Sequence, residues 1–409
     1  MSTAAVTPQP TQAPPTGPTL VPVPKATKAK APTPNVLMEV IVSRDALLAE
    51  VSAAQSICSQ KTTIPILANL LIEAHDGALK IAASNIEQTL STKAPATVKK
   101  PGVATVPARK LYDYIKLLPA GDISIKLLEN DWVRIQAGRS NTKMVGMARD
   151  NYPAIPTIGS LPKVTLPTTV LRSLIAHTIS AVSTEESRYT LTAALLLLEP
   201  NKVSMASTDG TRLALAEKDE TLAGVTDARK LLIPQQALHD LASLLASTKS
   251  ETVEIAESDT TIFMVIGDRE YTTRKRSGAF PNYEAVIPRA NNNAVILRTV
   301  DVERSVRRVA QFTDQKSSGV KFSLGANALK ISASNTDSGE SEDTIDAPYA
   351  SDQIIIKLNA DFILDFCKVV GTIGEVKFAF KDGRSAAVLQ PEAANRETRF
   401  MLVLMPMRL

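Results

Sequence analysis

The stretch that looks most like catalytic machinery is Ser207-Thr208-Asp209-Gly210-Thr211-Arg212-Leu213, which packs a carboxylate, three hydroxyls and a guanidinium into seven residues. To act as an acid, base or nucleophile, such a group needs a titratable partner or a metal beside it. The chain offers neither in any recognisable spacing. It has no P-loop, no G-x-G-x-x-G, no serine nucleophile elbow, no H-E-x-x-H and no C-x-x-C. His75, His177 and His239 share no metal-ligand spacing, and Cys58 and Cys367 stand far apart. The cysteines read as small buried hydrophobes in a reducing, cytoplasmic setting. Asn85 and Asn335 occupy the place of Asp209 in two similar segments, which makes Asp209 a turn residue whose side chain bonds its own backbone. No catalytic residue, cofactor or metal is expected.

The basic residues suggest a different chemistry. Arg304, Arg307 and Arg308 lie opposite Val302, Val306 and Val309; Arg109 and Lys110 open another helical segment, and Arg172 lies in a third. Any one of these could be an ordinary solvated helix face. Several lining one concave surface would neutralise phosphates without reading bases, giving salt-sensitive, sequence-independent binding. A third chemistry lies in Val403-Leu404-Met405-Pro406-Met407-Arg408-Leu409, where methionines offer an adaptable apolar surface. It could equally be a closing strand.

The elements that must position these residues come in threes. Segments Gly77–Asn85, Asn201–Asp209 and Asn327–Asn335 resemble one another, and Asn85, Asp209 and Asn335 stand 124 and 126 residues apart. Each has the period-two alternation of a half-buried strand (Leu79, Ile81; Val203, Met205; Leu329, Ile331) and follows another apolar strand. Upstream of each pair is a helical pattern. The first carries Leu47, Leu48 and Val51 behind a Ser43 cap, and the second carries Leu171, Leu174, Ile175 and Ile179 behind Thr168 or Thr169. The third follows Asp301. Downstream, Val106-Pro107, Ile233-Pro234 and Leu358-Asn359 each introduce a second helix, followed by further strands.

The expected fold class is α+β: three tandem domains at 37–158, 164–288 and 293–409, each with two helices packed on antiparallel sheets. Residues 1–36 are rich in Pro, Thr, Ala and Lys and read as a disordered tail. An arc of three modules with unpaired strand edges at both ends invites head-to-tail closure with a twin, so that one chain forms half of a ring.

Composition agrees with a globular body: 44% hydrophobic and 22% charged residues, with only 4% aromatic. No apolar run approaches the ~18 residues of a membrane span. The net charge is +4, of which Lys25, Lys28 and Lys30 in the acid-free tail supply +3, leaving +1 for the body. Any nucleic-acid contact must use a segregated basic surface.

Five segments, Ile64–Leu71, Val106–Lys110, Thr208–Ala214, Phe280–Tyr283 and Val403–Leu409, resemble the bacterial DNA polymerase III beta sliding clamp family. They lie in order through all three repeats, over residues 37–409. The resemblance implies three DNA-clamp domains and a head-to-tail homodimeric ring with helices lining its pore. It implies a non-enzymatic processivity role in DNA replication, with a clamp loader that opens the ring and a partner groove between the middle and last domains. That groove would take peptides from the replicative DNA polymerase catalytic subunit, the loader and other clamp-motif proteins. Its wall would be Leu191, Thr208, Gly210, Thr211, Arg212, Leu213, Pro281 and Val286, with Asn359, Phe362, Val403, Met405, Pro406, Met407, Arg408 and Leu409 from the last domain. DNA contacts carried over are Lys61, Arg109, Arg139, Arg188 and Tyr189. Met144 and Phe312 would meet at the dimer contact. Departures are Thr211, where many relatives have His, Ala285, where some have Arg, and Thr142, where an apolar aromatic is common. Two competing readings are a tandem-domain scaffold not acting on DNA and an enzyme acting on nucleic acid.

Overall fold

Ten elements repeat in the same order three times along the chain. The computed structural model describes residues 1–3, 35–58, 63–314, 317–371, 374–392 and 398–408. All elements below lie in one compact unit, Val36–Leu409. The expected tail lies almost wholly outside the described residues, and Val36, taken as its last member, is the first residue of a strand.

The first repeat runs β1 (Val36–Ser43), α1 (Arg44–Gln55), β2 (Asn69–His75), β3 (Ala78–Ser84), β4 (Gln88–Lys100), β5 (Gly102–Pro107), α2 (Ala108–Leu117), β6 (Asp122–Leu128), β7 (Trp132–Ala137) and β8 (Ser140–Val145). The second runs β9 (Val164–Pro167), α3 (Thr168–Thr178), β10 (Ala193–Glu199), β11 (Lys202–Thr208), β12 (Arg212–Asp219), β13 (Arg229–Pro234), α4 (Gln235–Ser247), β14 (Thr252–Glu257), β15 (Thr261–Ile266) and β16 (Arg269–Arg274). The third runs β17 (Asn293–Arg298), α5 (Thr299–Val309), β18 (Gly319–Gly325), β19 (Ala328–Asn335), β20 (Gly339–Asp346), β21 (Ile354–Asn359), α6 (Ala360–Val370), β22 (Glu375–Phe380), β23 (Ala387–Pro391) and β24 (Arg399–Leu404).

Local chemistry sets the helix starts. Ser43 Oγ accepts from the Ala46 N–H at 3.3 Å, and Asn359 Oδ1 accepts from Asp361 and Phe362. Such caps are worth about 1 kcal/mol each. Pro107, Pro167 and Pro234 precede α2, α3 and α4, where a missing N–H costs nothing. The expected Thr168 or Thr169 cap is therefore corrected. Thr168 is buried and its hydroxyl donates to the Ser250 carbonyl at 2.8 Å, so it ties α3 to the loop that leads into β14. Asp301 lies inside the first turn of α5, behind an Arg298 cap. The apolar stripes face inward as their spacing requires: Leu47 and Val51, Leu171 and Leu174, and Val302, Val306 and Val309 are all buried.

Strand pairing joins the repeats in addition to the connecting chain. The fourth strand of one repeat pairs antiparallel with the eighth strand of the next, so sheets run through both seams. At the first seam β4 pairs with β16, Gln88–Ser91 lying against Glu270–Thr273. At the second, β12 pairs with β24, from Arg212 opposite Leu404 to Glu217 opposite Arg399. That rule leaves one fourth strand and one eighth strand at sheet edges, β20 of the third repeat and β8 of the first; β5, β9, β13, β17 and β21 are the other edge strands among the described residues. The first seam also carries a fork-to-fork ion pair. Arg269 Nε and Nη2 lie 2.9 and 3.1 Å from the two oxygens of Glu50, and Thr92 donates a further hydrogen bond to that carboxylate.

Candidate functional site

The Asp209 turn links β11 to β12, and its polar side chains are all hydrogen-bonded. Asp209 Oδ1 accepts from the Thr211 and Arg212 amides at 2.9 and 3.0 Å and from the Thr211 hydroxyl at 2.7 Å. Thr208 Oγ1 accepts from Gly210 N and donates to the Arg212 carbonyl. Asn85 and Asn335 likewise accept from backbone amides two or three residues on. Asp209 is thus a turn residue. Gly210 is favoured by its backbone, with φ +90°, and the bare Cα leaves room for Arg188 Nη1, which would stand 2.7 Å from a Cβ there. Arg188 donates to the Asp209 carbonyl at 2.7 Å and pairs with Glu185 at 3.0 Å.

Arg212 joins the middle repeat to the third. Its Nε lies 3.1 Å from Asp209 and its Nη1 2.9 Å from Asp365 on α6. It also donates to the Ser180 carbonyl, and its guanidinium stacks 4.0 Å from the Phe362 ring centroid. The side chain is 10% exposed, so two carboxylates and an aromatic face replace its water. Beside it, Leu213 and Val403 are register partners and both buried. Phe280, Tyr283 and Ile287 pack on their cluster. Beyond β24 the chain stays hydrogen-bonded to both repeats. The Met405 amide donates to Thr211 and the Met407 amide to Lys357, at 2.9 and 2.8 Å. Met405 and Val286 remain 51% and 54% exposed.

The result is an apolar floor fenced by satisfied polar groups, a surface that can hold a flexible apolar peptide. The structure brings together Thr208, Gly210, Thr211, Arg212, Leu213, Phe362, Val403, Met405 and Met407 through hydrogen bonds, stacking and strand register. Asn359 caps the helix that carries Phe362, and Pro406 lies between the two methionines. Leu191 lies behind the Arg188 turn and donates its N–H to the Arg188 carbonyl. Pro281 is exposed within the Phe280–Ile287 segment. Arg408 is exposed, and Leu409 lies outside the described residues.

The cations fall into two groups. Arg172, Arg304 and Arg139 are exposed and make no ion pair among the described residues. Others are already engaged: Arg109 with Asp113 at 3.0 Å, Arg307 with Glu303 at 2.6 Å, and Arg308 with Asp343 of β20. Burial pushes the Asp343 carboxyl up, but hydrogen bonds from Arg308 and Ser305 outweigh it and hold the group below the usual carboxylate range. Tyr189 is exposed, with the Arg276 guanidinium 4.7 Å from its ring centroid. Lys61 lies outside the described residues. Met144 and Phe312 are partly buried, on edge strand β8 and just after α5.

Three family models match in order along the chain: the N-terminal domain of the DNA polymerase III beta subunit over residues 38–156, the central domain over 165–282 and the C-terminal domain over 284–408. The chain belongs to the DNA polymerase III beta subunit family. Among its curated relatives, the beta sliding clamp of Pseudomonas aeruginosa is 29% identical over 374 residues, covering 91% of this chain and all of that one. That of Caulobacter vibrioides is 30% identical over 350 residues, covering 84% and 93%. A crystal structure of the Bartonella birtlesii sliding clamp bound to griselimycin matches with TM-score 0.85 at 27% identity, over 91% of this chain and all of that one.

The beta subunit family is one of DNA sliding clamps, non-catalytic processivity factors. Membership sets aside the scaffold and nucleic-acid enzyme readings. Among the described residues no helix is long and apolar enough to cross a membrane. Sequence reasoning about the clamp surface missed Asp365, Ser180 and Glu185, which position Arg212 and Arg188. Asp365 stands one turn after Phe362 on α6, a spacing that could have flagged it.

Proposed function

We propose that two copies of this clamp close head to tail around duplex DNA and hold the replicative polymerase through the surface between Thr211 and Met407. One observation carries the ring: both seams inside the chain join a fourth strand to an eighth strand, and β20 and β8 are the fourth and eighth strands whose outer edges lack such a partner. Edge strands with free backbone groups are templates for pairing. Repeating the internal rule between chains satisfies both edges at once, twice per ring, as a two-fold axis demands.

The internal register can be carried across. Glu340 faces Ser334 as Thr89 faces Ser84, and the outer neighbour of Thr89 is Thr272, five residues past the hairpin glycine Gly267. Five residues past the matching Gly138 is Lys143. Lys143 and Glu340 are both exposed and lack ion-pair partners among the described residues, so an opposite-charge cross-strand pair would form at each junction. Met144 and Phe312 would add apolar contact there.

In this reading Arg172, Arg304, Arg109 and Arg139, with Lys61, Arg188, Tyr189, Arg307 and Arg308, face the phosphates without reading sequence. The loader and other partners compete for the same peptide surface, and the protein works in the cytoplasm. The test is retention on DNA. After loading by a clamp loader, the protein should stay on nicked circular DNA in ~0.5 M salt and leave within seconds once the circle is cut. Equal retention on both forms would overturn the ring.

A further inference from the structure

Next to the proposed peptide surface lies a charged face whose two lysines the clamp reading does not use. Strands β20, β19, β18 and β21 form a four-stranded sheet in that order. Val320, Phe322, Ile356 and Leu358 point into the core, so their neighbours Lys321 and Lys357 point outward. These two lysines are direct cross-strand partners. Like charges placed opposite each other destabilise a sheet, yet neither lysine has an ion-pair partner among the described residues. Lys330, one strand over, is neutralised by Glu342. The face is therefore polarised, with Glu340 and Glu342 along β20 and two uncompensated cations along β18 and β21, over a shallow cavity of about 760 Å³.

The lysine side of this face continues the peptide surface. The Met407 amide bonds the Lys357 carbonyl at 2.8 Å. A Cβ on Gly319 would lie 2.8 Å from Lys357 Cε and 3.4 Å from Met407 Sδ. The absent side chain lets the lysine stem lie across β18 close to the methionine, at the border of the apolar floor.

We propose that Lys321 and Lys357 form a cationic ledge for an acidic segment flanking the apolar anchor of the bound partner peptide. The ledge is one or two carboxylates wide. Glu342 beside it is already paired with Lys330, so two uncompensated cations are what this face offers, enough for a short acidic peptide and too few to hold a continuous phosphate backbone. The inference rests on the peptide surface proposed above and adds a chemical preference to it.

The test is fluorescence anisotropy with the full chain and three synthetic probes. One is a seven-residue peptide with two leucines and a phenylalanine; the others are the same peptide with three glutamates added at its N-terminal or its C-terminal side. At 50 mM salt one flanked probe should bind about threefold to tenfold more tightly than the plain probe, as one or two exposed ion pairs provide. The gain should vanish at 0.5 M salt. Lys321→Glu/Lys357→Glu should abolish the gain; Lys321→Glu alone should reduce it and leave the plain probe unchanged, and Lys80→Glu on the first repeat should alter neither the gain nor the plain binding; Lys321→Ala/Lys357→Ala should also remove the gain, which separates lost attraction from added repulsion. Plain binding with no gain from either flank overturns the ledge alone. Failure of every probe to bind overturns the peptide surface and the ledge with it. A short duplex DNA that displaces the flanked probe in wild type but not in the double variant would give the ledge to phosphate, and the acidic-peptide assignment would fall.

Discussion

Reversing one charge on an edge strand should weaken the closed ring, and reversing its partner as well should restore it. Lys143→Glu would set two acids opposite each other at both junctions of a two-fold ring, since every dimer contains the contact twice. An opposite-charge cross-strand pair is worth roughly 0.2–1 kcal/mol, and a like pair costs a similar amount. Reversal therefore shifts each junction by about 1 kcal/mol and the ring by about 2 kcal/mol, or about thirtyfold in the dimer dissociation constant. Glu340→Lys should do the same. The double reversal should return to within about threefold of wild type. The assay is a dilution series followed by light scattering at 50 mM and 1 M salt. Screening at 1 M shrinks the Debye length to about 3 Å and should bring all four proteins together. Single reversals that leave dissociation unchanged, or a double reversal as weak as the two singles combined, would refute the transferred register.

Other expectations concern the inner surfaces. Arg212→Ala removes contacts to Asp209, Asp365, Ser180 and Phe362 at once, and should cost about 2 kcal/mol of thermal stability while weakening plain-peptide binding; Arg212→Lys should recover little, because an ammonium neither forks nor stacks the same way, and full recovery would contradict that geometry. Arg172→Ala and Arg304→Ala should each lower the slope of log affinity against log salt by about 1 on duplex DNA without changing any preference among sequences; an unchanged slope would take that arginine off the DNA. Burial pushes the thiols of Cys58 and Cys367 up to about 12, so neither should be alkylated by iodoacetamide at pH 8 until denaturant is added, and mass spectrometry showing rapid native labelling would contradict their burial.

Local pattern made much of this fold readable, and its limits are physical. The strand–turn motif ending at Asn85, Asp209 and Asn335 recurs because one turn chemistry serves three repeats, so a single sequence contains its own comparison. The helix faces were visible because burial imposes a 3.6-residue period on Val302, Val306 and Val309 and on their counterparts. The Thr168 cap was misjudged because a buried hydroxyl found a partner 82 residues away. Seam contacts were equally invisible. Glu50 and Arg269 are 219 residues apart, and Arg212 and Asp365 are 153 apart. Nothing in the spacing of such pairs distinguishes them from ordinary surface charges. The arginines on α5 were read as one basic stripe, yet Arg307 and Arg308 are tied to Glu303 and Asp343. Only the three-dimensional partner list separates spent cations from Arg304.

Strand β24 finishes the last module, yet its backbone is hydrogen-bonded into the middle one, alongside β12. A ligand resting against Met405 and Leu213 therefore bears on two modules together and acts as a splint across their boundary. Occupancy should stiffen each half of a closed assembly and leave the contacts between chains as the place where it yields. The machinery that opens the assembly and the cargo that rides on it would then act on mechanically separate parts of the same hoop.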